Sequence, residues 1–194
     1  MRVGKAGAVR PSAQRTRERL LLEAARMFAT RGFHGTSIDD LGAAAGISGP
    51  SVYKHFGSKD EVLAELLIDI GQRMLDSGQA VVAAASDDAD ALRQLIACHA
   101  GFATSEPDLI RVHDRDMANL SAEADHQVRS RQLAYTRLWV TPLRALRPGL
   151  TERQAQIEVH AIFGLLNSTK YSDIGTAART RLIGMAERAL SLAA

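Results

Sequence analysis

Residues 36–63 read TSIDDLGAAAGISGPSVYKHFGSKDEVL, and the fold follows from how caps and apolar positions alternate along them. Thr36 stands as an N-cap with Asp39 three residues on, in a box-like arrangement. Ile38, Leu41 and Ala45 recur three and four apart, so one face of this first short helix is buried. Gly46 ends it, because glycine takes the left-handed conformation at low cost. Ser48 is the next N-cap. Ile47 and Val52 flank that cap as a hydrophobic staple, and Gly49 and Pro50 suit a first helical turn. Ser58 and Glu61 form a third cap with S-x-x-E spacing. Helix, glycine turn and short polar-faced helix together describe a helix-turn-helix, whose second helix can enter a DNA major groove. Val52 and Phe56 hold that helix down. Gly49, Ser51, Tyr53, Lys54 and His55 are left facing outward.

The run from Ser51 to Leu63, SVYKHFGSKDEVL, resembles the signature of TetR-family transcriptional repressors, roughly Leu-Tyr-x-His-Phe-x-x-Lys-Glu-x-Leu. Val52 stands where Leu is commoner and Asp60 where Glu is commoner, and both keep the chemistry. The resemblance implies a DNA-binding domain at this end of the chain. It also implies a C-terminal domain in which a small molecule shifts the long fourth helix.

Working outward, 194 residues suit one or two small domains with a real core. Five prolines and the lack of alternating Val/Thr/Tyr runs point to an all-α fold of about nine helices. The single cysteine, Cys98, allows no internal disulfide and fits a reducing compartment. No apolar run reaches the roughly 18 residues of a membrane span, and the N-terminus lacks a signal-peptide core. A cytoplasmic protein without membrane contact is expected. Net charge is +2, but residues 1–60 hold 10 Lys/Arg against 5 Asp/Glu, whereas residues 61–194 hold 14 against 17. A basic N-terminal third is what a phosphate-binding module needs.

Three domains are expected. Residues 1–12 carry Arg2, Lys5 and Arg10 without an acid, and read either as a solvated tail or as an arm adding phosphate or minor-groove contacts. Residues 13–57 are the DNA-binding domain. Their first helix, 13–31, has an apolar stripe of Leu21, Ala24, Ala25 and Phe28 and stops at Gly32. Arg15, Arg17 and Arg19 crowd its start, where the helix dipole disfavours cations, and nearby phosphates would explain them. Residues 58–194 form the ligand-binding and dimerisation domain. It opens with a long helix from Ser58 to about Ala85, the mechanical link to the reader. Helices are then expected over 88–105, from Pro107 to about Leu120, and from Ser121 to Leu146 with Pro142 inside. Thr151 should cap the penultimate helix, with Arg153 where a capping box wants Glu. The last helix runs from Ile174 to about Leu192.

The recognition helix places Gly49, Ser51 and Lys54 at base edges, with Ser48 at its start. Thr36, Ser37, Tyr53, His55 and Lys59 are expected as backbone clamps, Tyr53 and His55 by their match to the family motif. The resemblance implies a pocket framed by the helices between 88 and 171. Met74, Leu95, His99, Phe102 and His113 are candidate lining residues. Met117, Tyr135, Leu138, Trp139 and Phe163 complete that set. Arg111, Arg115, Arg131 and Arg137 could meet an anionic group. Two broad apolar helices at the C-terminus suggest a surface buried by a second subunit, like the family's dimer of four packed helices. Val159, Ile162, Leu166, Leu182, Met185 and Ala189 are its expected members. A twofold dimer would present two recognition helices to a palindromic double-stranded operator. No cofactor and no metal are expected. An enzyme is disfavoured: there is no H-E-x-x-H, Gly-rich phosphate loop or G-x-S-x-G elbow. His113 and Asp116 lie three apart but need a third ligand to hold a metal. A helical adaptor without DNA binding is the remaining alternative, and it has no use for outward Tyr53, Lys54, His55 and Lys59.

Overall fold

The computed structural model describes residues 12–171 and 175–192, and the side chains of 12–169 and 178–192. The basic stretch 1–12 thus lies outside it, except for Ser12. Among the described residues the architecture is all-helical: α1 Ser12–Arg31, α2 Ile38–Ala44, α3 Gly49–Val52, α4 Lys59–Ala84, α5 Asp88–Ser105, α6 Pro107–Asp116, α7 Ala122–Leu146, α8 Glu152–Leu166 and α9 Gly175–Ala189. No helix among them is long and apolar enough to cross a membrane.

Capping sets most of the boundaries, with shifts of one residue. At α2 the cap is Ser37. Its hydroxyl accepts from Asp40 N at 3.1 Å and Asp40 returns a bond to Ser37 N at 3.0 Å. Thr36 is unavailable because it is 1 % exposed and donates to Gly32 O. At α4, Ser58 accepts from Glu61 N as expected, but the Glu61 carboxylate closes on Gly57 N at 2.6 Å. At α8 the third helical position is Gln154, not Arg153, and Thr151 and Gln154 form a complete capping box. The α6 segment turns to a 3₁₀ stretch at Met117–Asn119, so the α-helix ends at Asp116 rather than near Leu120. The last helix begins at Gly175, and Ile174 lies outside the described residues.

Two glycines make the α2–α3 turn. Gly46 adopts φ +69° after α2, where a side chain would be strained. Gly49 is buried, and a Cβ there would fall 1.7 Å from Asp39 Oδ1 and 3.2 Å from Asp39 Cα. The two helices therefore meet backbone to backbone.

Two apolar clusters hold the chain together. The first joins Leu20, Ala24, Phe28, Leu41, Val52 and Phe56 of the DNA-binding head to Leu63, Leu66 and Leu67 of α4. It also takes in Leu109 and Val112 of α6 and Val128 of α7. The stripe on α1 starts at Leu20, with Leu21 at the core's edge. The division at 57/58 is thus a change of helix, not of core. Arg17 at the start of α1 pairs with Glu65 of α4 and lies 4.6 Å from the Phe56 ring, so packing within the chain accounts for it. The second cluster centres on Trp139, with Leu92, Leu95, Ile96, Leu143, Val159, Ile162, Leu166 and Leu182. Four of the six residues expected at a dimer surface belong to this core: Val159, Ile162, Leu166 and Leu182 are buried inside the chain. Both stripes on α8 are apolar. The one bearing Ile157 and Ala161 faces out, with Ile157 60 % exposed.

Candidate nucleic-acid interface and ligand cavity

The outward surface of the α2–α3 unit is smaller than the sequence implies. Tyr53, 57 % exposed, and Lys54 stand free on the turn after α3, with His55 half-buried beside them. Ser37 and Ser48 are exposed; Ser48 Oγ and Ser51 Oγ lie 2.8 Å apart, so these hydroxyls present a joined polar edge. Three expected DNA contacts are occupied elsewhere. Thr36 is buried, and Gly49 is sealed against Asp39. Lys59 turns inward: Nζ donates to Phe33 O and Thr36 O, both at 2.8 Å, and lies 4.3 Å from the Phe33 ring centroid. It ties the loop between α1 and α2 to the start of α4. The exposed set that remains, Ser37, Ser48, Tyr53 and Lys54 with half-buried Ser51 and His55, suits phosphate and base-edge contact.

A cavity of about 340 Å³ opens between α4, α5, α6, α7 and α8. Its size is at the lower end for a small-molecule site. Six expected residues line it: Met74, His99, Phe102, His113, Tyr135 and Phe163. Leu95 and Trp139 are instead packed in the second core, and Met117 packs against the first. Leu138 borders a separate groove with Arg137 and Pro142. The sequence reading missed Leu67, Ile70 and Gly71 on α4, Leu109 and Ile110 on α6, and Val128, Gln132 and Thr136 on α7. Asp114, His160 and Asn167 were missed as well. Extending the helical period from Tyr135 back to Val128 and Gln132 would have found part of that wall.

The polar floor of the cavity is a chain of three side chains. Asn167 Oδ1 lies 3.0 Å from His99 Nε2, and the Tyr135 hydroxyl lies 3.2 Å from His99 Nδ1. A neutral ring that donates from Nε2 to the amide oxygen must accept at Nδ1, so the phenol donates. Burial pushes the His99 pKa down to about 4, against the Asn167 hydrogen bond, which favours the charged ring. Burial also pushes the Tyr135 phenol above its ordinary value. Phe163 stacks on His99 with centroids 4.9 Å apart, and Trp139 meets both rings edge-on. The upper wall holds His113, whose Nδ1 is 3.2 Å from Asp114 Oδ1 and whose Nε2 accepts from the Gln132 amide. Arg131 also borders the cavity, donating to Gln72 Oε1 at 3.0 Å and Gln127 O at 2.9 Å.

Helix α6 faces the cavity on one side and the head on the other. Leu109, Ile110, His113 and Asp114 line the cavity. Arg115, the next residue, donates to Phe28 O and Ala29 O at the C-terminal end of α1, and is held by buried Asp116. Asp116 is thereby committed to Arg115, not to His113.

These two sites, a helix-turn-helix head and a walled cavity joined by shared helices, define a two-domain helical DNA-binding regulator. Residues 20–66 match the sequence model of "Bacterial regulatory proteins, tetR family", and residues 85–180 match "Tetracyclin repressor-like, C-terminal domain". The chain belongs to the TetR family of ligand-responsive transcriptional regulators. It is 28% identical over 162 residues to the transcriptional repressor KstR2 of Rhodococcus jostii, covering 80% of this chain and 76% of that one. Three further curated relatives are matched over less than a third of their length. The fold is similar to that of a TetR-family regulator from Bordetella parapertussis, with TM-score 0.80, 23% identity and coverage of 91% and 92% of the two chains. It is also similar to AibR, solved in complex with isovaleryl coenzyme A and operator DNA, with TM-score 0.75, 16% identity and coverage of 89% and 97%.

Proposed function

We propose that the chain represses transcription from the cytoplasm as a homodimer on a palindromic operator, and is released when a small, partly apolar effector fills the cavity. The observation that carries this reading is α6, which touches the cavity with Leu109 and His113 and grips α1 with Arg115, two residues past His113. Filling the cavity moves α6 or α4, and either motion is transmitted to the head, because the first core contains residues of all three. A ligand shifts an equilibrium only by its differential affinity for the two states.

Within this reading residues 13–57 read DNA and 58–194 bind effector and partner. Tyr53 and Lys54 are the principal contacts, with Ser37, Ser48, Ser51 and His55 beside them. The second copy covers the outward faces of α8 and α9: Ile157, Ala161 and Gly164, with Met185 and Ala189. Ile157 and Met185 are 60 % and 45 % exposed, and a Cβ on Gly164 would meet nothing within 4 Å, leaving room for close helix approach.

Gel-shift titration against duplex DNA over a salt series tests the reading. The wild type is expected to bind with a steep salt dependence. Ile157→Glu with Met185→Glu is expected to give a monomer by sedimentation and to weaken binding of specific sites at least tenfold. A protein that ignores duplex DNA at low salt is an adaptor, and this reading then fails.

A further inference from the structure

Most charged side chains near the cavity have a charged partner. Arg73 pairs with Asp69 and Glu106, Arg111 with Asp108 and Arg115 with Asp116. Asp114 on the cavity wall faces the His113 ring. Arg131 differs. Among the described residues its hydrogen-bond partners are Gln72 Oε1 and the Gln127 carbonyl, both uncharged, and no ion pair engages it. Its stem lies over bare Gly71 of α4, where a Cβ would sit 3.4 Å from Arg131 Cβ and Cδ. Two of the guanidinium's five N–H donors are used, on a side chain that is half out of water and borders an apolar cavity.

We infer that Arg131 is the anchor for a carboxylate, and that the effector is a singly charged amphiphile with an aliphatic or alicyclic body lying among Met74, Phe102 and Phe163. This rests on the cavity being the effector site. A guanidinium and a carboxylate match in a bidentate fork, and partial desolvation strengthens the pair beyond a surface ion pair. Apart from Asp114, whose carboxylate is turned to the His113 ring, the polar wall beside Arg131 includes the neutral groups Gln132, Thr136, Asn167 and the uncharged His99 ring. A phosphate monoester brings close to two charges, and a coenzyme A thioester more, together with a nucleotide that about 340 Å³ does not hold. One arginine and a small cavity select a single carboxylate.

The same contact reaches the helix that carries the head. A carboxylate taken by Arg131 competes with Gln72, which belongs to α4. Occupancy therefore loosens a bond between α7 and α4 beside Gly71.

The test compares hexanoate, octanoate and decanoate with the matching primary alcohols and with octanoyl coenzyme A, by calorimetry and thermal shift on the full chain. The best carboxylate is expected to bind at least tenfold tighter than its alcohol. Arg131→Gln is expected to weaken the carboxylates by about ten- to a hundredfold, leave the alcohols unchanged, and be partly rescued by Arg131→Lys. Gln72→Ala leaves the arginine in place and removes the competing acceptor, so it is expected to tighten carboxylates alone. A wild type that binds alcohols as tightly as carboxylates, or an Arg131→Gln variant that keeps the preference, overturns the anchor while leaving the cavity as a binding site. The same holds if octanoyl coenzyme A is preferred over octanoate. If neither series binds, the cavity reading falls and the anchor with it.

Discussion

In the DNA-binding head, polar side chains that look outward in the sequence are drawn into the backbone. Thr36 bonds Gly32 O, Asp40 closes on Ser37, and Lys59 binds two carbonyls of the loop before α2. In the cavity domain the direction reverses. His99 of α5, Arg131, Gln132 and Tyr135 of α7, and Asn167 after α8 converge on an open interior volume. The head uses polar groups to fix a shape and leaves few of them, chiefly Tyr53 and Lys54, for a partner. The cavity domain keeps a shape through aromatic and aliphatic packing and turns polar groups, hydrogen-bonded largely to one another, toward the interior volume. Recognition of a rigid duplex needs the first arrangement, and recognition of a small enclosed molecule needs the second.

Phe28→Ala tests the packing side of this contrast most strongly. Phe28 is fully buried where α1, α4 and α6 meet, so its loss is expected to destabilise the chain by about 3–5 kcal/mol in urea unfolding. Phe163→Ala removes a ring that already borders open volume and is expected to cost less while altering ligand binding. Equal losses at the two sites would remove the distinction.

A pH series tests the buried polar floor. His99 is neutral in the fold, its pKa pushed down to about 4 by burial, while the unfolded chain titrates near the ordinary 6.5. Above pH 6.5 both states are neutral and stability is complete. Between 6.5 and 4 the unfolded state takes up a proton that the folded state refuses, so stability falls with pH, by up to about 3 kcal/mol. In His99→Gln this part of the melting-temperature profile is expected to flatten. A profile that stays parallel to wild type would mean that solvent reaches the ring.

Lys59→Ala is expected to cost about 2 kcal/mol, through two lost charge-assisted bonds and the Phe33 contact, and to weaken DNA binding only as the head loosens. If stability is unchanged but affinity drops, Lys59 contacts phosphate after all. The smallest stability change is expected from Tyr53→Ala, within about 0.5 kcal/mol because the ring is mostly exposed, with duplex affinity reduced about tenfold on specific and random DNA alike. A large stability loss there would place Tyr53 with the internally committed residues.

Legibility in the sequence follows the range of the interaction. Caps and helix ends act over three or four residues, so the helices could be placed to within a few positions, and Ser58 and Thr151 were visible as starts. The outlying errors are long-range. Lys59 finds its acceptors 26 and 23 residues away, which no local spacing records. On α8 the stripes of Val159 and Ile157 are both apolar, and only the packing of Trp139, Leu92 and Leu182 decides which is inside. Leu95 and Trp139 on one hand, and His99 and Tyr135 on the other, share helices and periodicity. Core and cavity wall separate only when five helices are assembled around a space.

The residues that α6 and α7 contribute to the first core have a consequence for engineering. Leu109, Val112 and Val128 complete an apolar surface that α1 to α4 leave open, and Arg115 closes the end of α1. A fragment ending after α4 would expose that surface and tend to aggregate. Grafting this reader onto another effector domain would require carrying the underside of α6 along with it. The portable unit is not the first sixty residues but a discontinuous one, assembled from two distant parts of the chain.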